Sequence, residues 1–188
     1  MNSASLNKNS SHIKKVSPNK RGVKIAIFSD SHDNLPNLKK ALSFCEKNKI
    51  TTIIHCGDLC QLTSLITSWP KKLDAEVHFT YGNADYVDDI NQQAKTFKAF
   101  KIYGQIGAIT LENKKIAFTH HSTKAKELGE TQKYDYIFYG HTHKPWEQII
   151  GKTKIVNPGT LAGMFYKATF AILDLEKNKL ELKILERI

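Results

Sequence analysis

The stretch Val23-Lys24-Ile25-Ala26-Ile27-Phe28-Ser29-Asp30-Ser31-His32 decides how the rest of the chain is read. Residues 23–28 are apolar and rich in β-branched side chains, the pattern of a short buried strand, and the run ends in Asp30-Ser31-His32. Asn34 follows in the place of a helix N-cap and Pro36 sits where the first helical turn tolerates it. Leu35, Leu38, Ala41, Leu42 and Cys45 then recur at helical spacing. Residues 51–55 read as a second strand, 61–68 as a short helix and 76–81 as a third strand. Alternation of this kind builds right-handed crossovers and a parallel sheet.

Further along, the pattern changes. Residues 106–111 and 115–119 flank Glu112-Asn113-Lys114, a hairpin signature. A polar helical stretch over 123–133 precedes strands at 136–139, 146–150 and 153–156. The end pairs 168–175 with 179–185 across Glu176-Lys177-Asn178. This mixture fits two facing mixed sheets covered by helices better than one doubly wound sheet. The expected class is therefore α/β (α+β), a four-layer sandwich in a single domain over 23–188, with no internal repeat. Tyr81, Tyr86, Tyr139 and Trp146 are assigned to core packing, and His55 and His78, inside strands, to hydrogen-bonded structure.

The polar residues fall at strand ends. Asp30-Ser31-His32 follows the first strand, Gly57-Asp58 the second and Gly82-Asn83 the third. His120-His121 follows the strand that contains Ile116, and Gly140-His141-Thr142-His143 the one that contains Tyr136. Each alone is ambiguous: Asp30 and Asp58 suit turn chemistry, and Asn83 beside Gly82 is a common turn pair. Open α/β sheets bind ligands at the carboxyl ends of their strands, so five such ends bearing Asp, Asn and His point to one assembled metal site. In His141-Thr142-His143 both imidazoles reach one side only if the loop bends around something between them. Carboxylate, imidazole and amide oxygen together suit manganese, iron, nickel, cobalt or zinc. Seven side chains exceed what one tetrahedral ion uses, so two ions are expected, with one carboxylate bridging them.

Composition sets the outer limits. The 188 residues are 40% hydrophobic and 24% charged, ordinary for a globular domain, and no apolar run approaches the roughly 20 residues of a membrane helix. Cys45, Cys56 and Cys60 lack CxxC spacing, which argues against a disulfide framework and for a cytoplasmic protein with reduced thiols. The formal net charge of +10 owes much to Lys8, Lys14, Lys15, Lys20 and Arg21, which face no acidic residue in a Ser- and Asn-rich stretch. Residues 1–22 are expected to be a disordered basic extension, either solvated or a tether to an anionic surface.

The segments SDSH, HCGDL, YGNAD, FTHH, YGHTH and VNPGT, in this order between residues 23 and 160, resemble the calcineurin-like metallophosphoesterase superfamily, and its small bacterial and archaeal phosphodiesterase (YfcE-like) branch above all. The resemblance implies two mixed sheets flanked by helices and a binuclear metal centre, with manganese the first choice. Carried over by motif, Asp30, His32 and His143 would hold one ion, Asn83, His120 and His141 the other, and Asp58 would bridge both. Asp58, Asn83 and His120 would carry catalysis, and a hydroxide held between the ions would attack the phosphorus of a small phosphodiester in line. Two departures stand out. Ala84 occupies the place where many relatives carry a His that protonates the leaving group. His121 follows His120 where a Gly is expected, and the THH match favours His120 over His121 as the ligand. Asp85 and His121 are the candidate substrate contacts, Asp85 alternatively anchoring the Asn83 loop, and Asn157-Pro158-Gly159-Thr160 is expected to line the site. A homodimer is a family-level expectation. The alternative function is a scaffold like the metallophosphoesterase-like subunit of retromer. A nucleic-acid enzyme fits less well, because nuclease relatives carry an appended domain that is missing here.

Overall fold

The computed structural model describes residues 14–15 and 23–188. The expected disordered extension therefore lies outside the described residues, except that Lys14–Lys15 (β1) runs parallel to β6 (Ile106–Leu111).

The opening run forms β2 (Lys24–Phe28), and its alternation places two cores. Ile25 and Ile27 point to one face, Ala26 and Phe28 to the other, and all four are fully buried. A strand buried on both sides needs apolar residues at every position, which is why the run shows no polar period. α1 (Leu35–Lys47) starts at Asn34, whose side chain accepts from the Asn37 N–H at 3.1 Å, with Pro36 in the first turn. β3 (Thr52–His55), α2 (Leu62–Ser68), β4 (Glu76–Phe79), α3 (Val87–Ala94) and β5 (Phe100–Ile102) complete the first half.

In the second half β6 pairs antiparallel with β7 (Lys114–Thr119). The hairpin turns at Glu112 and Asn113, both left-handed at φ 43° and 60°, as a tight turn of matching twist requires. α4 (Ser122–Glu130), β8 (Tyr136–Phe138), β9 (Trp146–Ile150), β10 (Thr153–Asn157), β11 (Thr169–Asp174), β12 (Lys179–Ile184) and a closing 3-10 turn (Leu185–Arg187) follow.

The strands form two six-stranded mixed sheets, ordered β12-β11-β2-β3-β4-β5 and β1-β6-β7-β8-β10-β9. Three cores separate four layers. Leu38, Leu42, Leu65 and Ile90 from α1, α2 and α3 pack on Phe28, Val77 and Phe79 of the first sheet. Ile25, Ile27 and Ile54 meet Ile116, Phe118 and Phe138 between the sheets, while Ala125 of α4 sits on Ala117, Ile137 and Ile155. This is the expected α/β four-layer sandwich.

The expectation that the aromatic residues pack in the core holds for Tyr139 but fails for Tyr86 and Trp146, which are 60% and 53% exposed, one before α3 and the other on the edge strand β9. Among the described residues, no helix is long and apolar enough to cross a membrane.

Candidate metal centre

β2, β3, β4, β7 and β8 all end on the same edge of the sandwich, and the turns that follow them carry Asp30 and His32, Asp58, Asn83, His120, and His141 and His143. The fold brings all seven together. His143 Nε2 lies 3.2 Å from Asp30 Oδ1 and 3.2 Å from His32 Nε2. Asn83 Oδ1 lies 2.9 Å from His141 Nδ1 and 3.2 Å from His120 Nε2. Asp58 Oδ2 stands between these two groups, 3.7 Å from His32 Nε2 and 3.4 Å from His120 Nε2.

Backbone conformation makes the convergence. Asp30, His32, Asp58, His141 and His143 are all left-handed, with φ between 40° and 69°. A residue with a Cβ pays about 1–3 kcal/mol for such a conformation and keeps it only where its surroundings impose it. Here His141 (φ 69°) and His143 (φ 58°) bend the loop so that one imidazole enters each group.

Those surroundings are specific. Asp85 accepts from the Gly82, Asp58 and Cys60 amides at 2.6, 3.0 and 2.8 Å, tying the turn after β4 to the turn after β3. Of the two roles open to Asp85 these contacts are the anchoring one, both oxygens being taken by backbone amides. Asn157 donates to Gly140 O at 2.9 Å and Thr142 Oγ1 at 3.0 Å, and Thr160 donates to Asp30 O at 2.9 Å, so the NPGT turn holds the loops that carry Asp30, His141 and His143. Gly57 (φ 91°) is needed because a Cβ there would stand 2.6 Å from Gly82 N and 2.8 Å from His120 Nδ1. A Cβ on Gly140 would collide with Ser29 Oγ and Asp30 Oδ2.

The donor set fits divalent cations. His120 Nδ1 faces the Cys56 carbonyl at 2.8 Å and so carries the proton, which turns the Nε2 lone pair toward two acceptor oxygens, Asn83 Oδ1 and Asp58 Oδ2. Three acceptors facing one another call for a positive charge among them: a proton on His120 Nε2, donated to Asp58, or a cation in that proton's place. Burial pushes the Asp30 carboxyl up to about 6, and the Asp58 charge pushes the same way; a cation would reverse both. At Asp58 burial also raises the pKa, but hydrogen bonds from His120 and from the Ala84 N–H (2.7 Å) outweigh it and hold the carboxyl down at about 2. His121 lies close by, its ring 5.0 Å from His120 and 4.7 Å from His141, with burial first and the two neighbouring imidazoles second depressing its pKa.

His55 is fully buried, its Nε2 3.0 Å from Ser31 Oγ, and burial lowers its pKa from 6.5 to about 3. The folded protein therefore holds a neutral imidazole that the unfolded chain protonates. Its contribution is complete above pH 6.5 and drains as pH falls from there toward 3, by about 1.4 kcal/mol per unit. Metal-free protein is expected to lose about 2 kcal/mol from this source between pH 6.5 and 5 in denaturant titrations, and His55→Gln to lose less. An unchanged pH slope in His55→Gln would contradict this account.

A family model described as the calcineurin-like phosphoesterase superfamily domain matches residues 23–178. The chain belongs to that family. It is 31% identical to a phosphodiesterase of Methanocaldococcus jannaschii over 175 residues, which cover 87% of this chain and 100% of the relative. A solved archaeal phosphodiesterase superposes with a TM-score of 0.78 at 29% identity, covering 86% of this chain and 99% of that one. Vps29 of Entamoeba histolytica in complex with zinc gives 0.61 at 18% identity, covering 85% and 90%, and shares the fold.

Two features escaped the sequence. The role of Asn157 depends on groups of another loop, which carry no local signal. The loop Met164-Phe165-Tyr166 did have one, three large apolar residues in a row, all of them exposed in the structure.

Proposed function

We propose that the protein is a metal-dependent phosphodiesterase whose two groups of donors hold a pair of divalent ions, manganese the first choice. The observation that carries this reading is Asp58 Oδ2 within 3.4–3.7 Å of an imidazole nitrogen from each group. The full-length match to a phosphodiesterase supports the substrate class. When bound, such a pair of ions lowers the pKa of a water held between them and neutralises charge on the phosphate oxygens.

The chain's own residues do the rest. Asp30, His32 and His143 hold the first position; Asn83, His120 and His141 hold the second; Asp58 is common to both. A cavity of about 260 Å³ opens beside the second group, with Asn83, His120, His121 and Lys124 in its wall, and there the phosphodiester sits with His121 against its oxygens. The turns behind the ligands, locked by Asp85 and Asn157, are preorganised and need not rearrange on binding.

Chelation tests the reading. Stripped protein should lose phosphodiesterase activity, and manganese or nickel should restore it better than magnesium, because imidazole-rich sites favour later transition ions over a hard oxygen-seeking one. Full activity of stripped protein in excess chelator would overturn the mechanism. Stoichiometric metal with no hydrolysis of aryl diesters, cyclic nucleotides or phosphomonoesters would instead favour the scaffold.

A further inference from the structure

The loop after the NPGT turn is rooted in the metal centre and exposes its tip. At the root, Leu161 N donates to Ser29 O at 2.9 Å and Ala162 N to Asp30 O at 3.0 Å. The side chains of Asn34 and Asn37 hold the carbonyls of Ala162 and Leu161 at 3.0 and 2.8 Å. At the tip, Phe165 is 86% exposed and Tyr166 45%. Phe165 is also left-handed, at φ 63°, a conformation that strains a bulky residue. Exposure of a large ring and backbone strain both work against stability, and no burial on this face compensates them.

The position of the ring gives the reason. Phe165 lies 6.0 Å from the His143 ring, centroid to centroid, with the planes tilted by 37°. On its other side is a cavity of about 680 Å³ that Tyr166, Asn37 and Lys40 also line, within the size range of small-molecule sites. The ring thus stands at the border between the first metal position and an open cavity.

We propose that Phe165, backed by Tyr166, is a stacking shelf for a planar aromatic group carried by the phosphodiester, either a nucleobase or an aryl ring. This rests on the phosphodiesterase reading. An aromatic face accepts any flat π-system, and Lys40 adds a cation to a cavity wall whose other charges, Lys167 and Glu186, pair with each other at 3.1 Å. The shelf selects by the shape of the substituent and meets the site only at the edge of the His143 ring, away from the phosphorus, so it sets affinity.

The test compares phosphonates that share one anionic head. On manganese-loaded protein, calorimetry should give phenylphosphonate an affinity about 10-fold above methylphosphonate. Phe165→Ala should bring that ratio close to one without changing methylphosphonate affinity or metal content, and Phe165→Trp should keep it. Adenosine 5′-monophosphate against ribose 5-phosphate then separates the two sources: a larger ratio there than for phenyl over methyl marks a nucleobase, a smaller one an aryl ring, and both support the shelf. Equal affinities in wild type, or a ratio that Phe165→Ala leaves intact, would overturn the shelf while leaving the phosphodiesterase reading in place. Failure of every phosphonate and phosphate to bind would overturn both. A dimer that Phe165→Ala dissociates, with the ratio unchanged, would assign the loop to a self-interface and overturn the shelf.

Discussion

Asp58→Ala is expected to abolish turnover, by at least about 10³-fold, and to empty both metal positions. The carboxylate is buried and fixed by the Ala84 N–H at 2.7 Å, which leaves Oδ2 aimed at both groups. Hydrogen bonds from His120 and Ala84 outweigh burial and hold its pKa down at about 2, so the carboxylate is charged at neutral pH. Asn83→Ala removes an oxygen that approaches His120 and His141 alone, and should preferentially empty the second position. Elemental analysis after gel filtration, paired with single-turnover rates, reads both effects. Equal metal content in the two variants would contradict the shared role of Asp58.

That the seven donors share one site could be argued from sequence because each lies within a few residues of a strand end, and strands are what apolar runs reveal best; the choice of Asp58 as the shared carboxylate came from the family resemblance. The first sheet was legible for the same reason: residues 25–28 are apolar without a polar period, as a strand covered on both faces must be, while 76–81 alternates Glu76, His78 and Thr80 with Val77, Phe79 and Tyr81 in the two-residue period of a strand. α3 was not legible. Its first turn carries Asp88 and Asp89, and its only buried residue is Ile90, so it has no apolar stripe to find. β5 has three residues, of which Phe100 alone is buried, too few to show alternation.

Within the site, residue type was legible and conformation was not. Left-handed backbone at five ligands leaves little trace in a sequence, since Asp and His are not obligatory markers of positive φ in the way Gly is. Nor could Asp85 be settled, because its three amide partners come from two turns, one of them 25–27 residues away. Function at this level lives in contacts between loops, and those exist only once the sheets have brought the loops together.

Turnover is expected to depend steeply on leaving-group acidity, with nitrophenyl diesters far faster than alkyl ones, because the general-acid assistance that would level them, typically worth about 10²–10⁴-fold, has no side chain to supply it at position 84. Position 84 is where many relatives carry the acid. Here it holds Ala84, whose contribution to the site is its backbone N–H on Asp58 Oδ1. With no proton donor at that place, the departing oxygen must leave with most of its negative charge, and its own acidity then sets the rate. Ala84→His should help alkyl diesters more than nitrophenyl ones, since position 84 follows Asn83 directly, is only partly buried, and keeps its backbone contact to Asp58 through the change. A leaving-group series on both proteins under single-turnover conditions measures the two slopes. A shallow slope in the wild type would mean that another group supplies the proton, and His121, 4.7 Å from His141 and in the wall of the same cavity, is the side chain placed to do it.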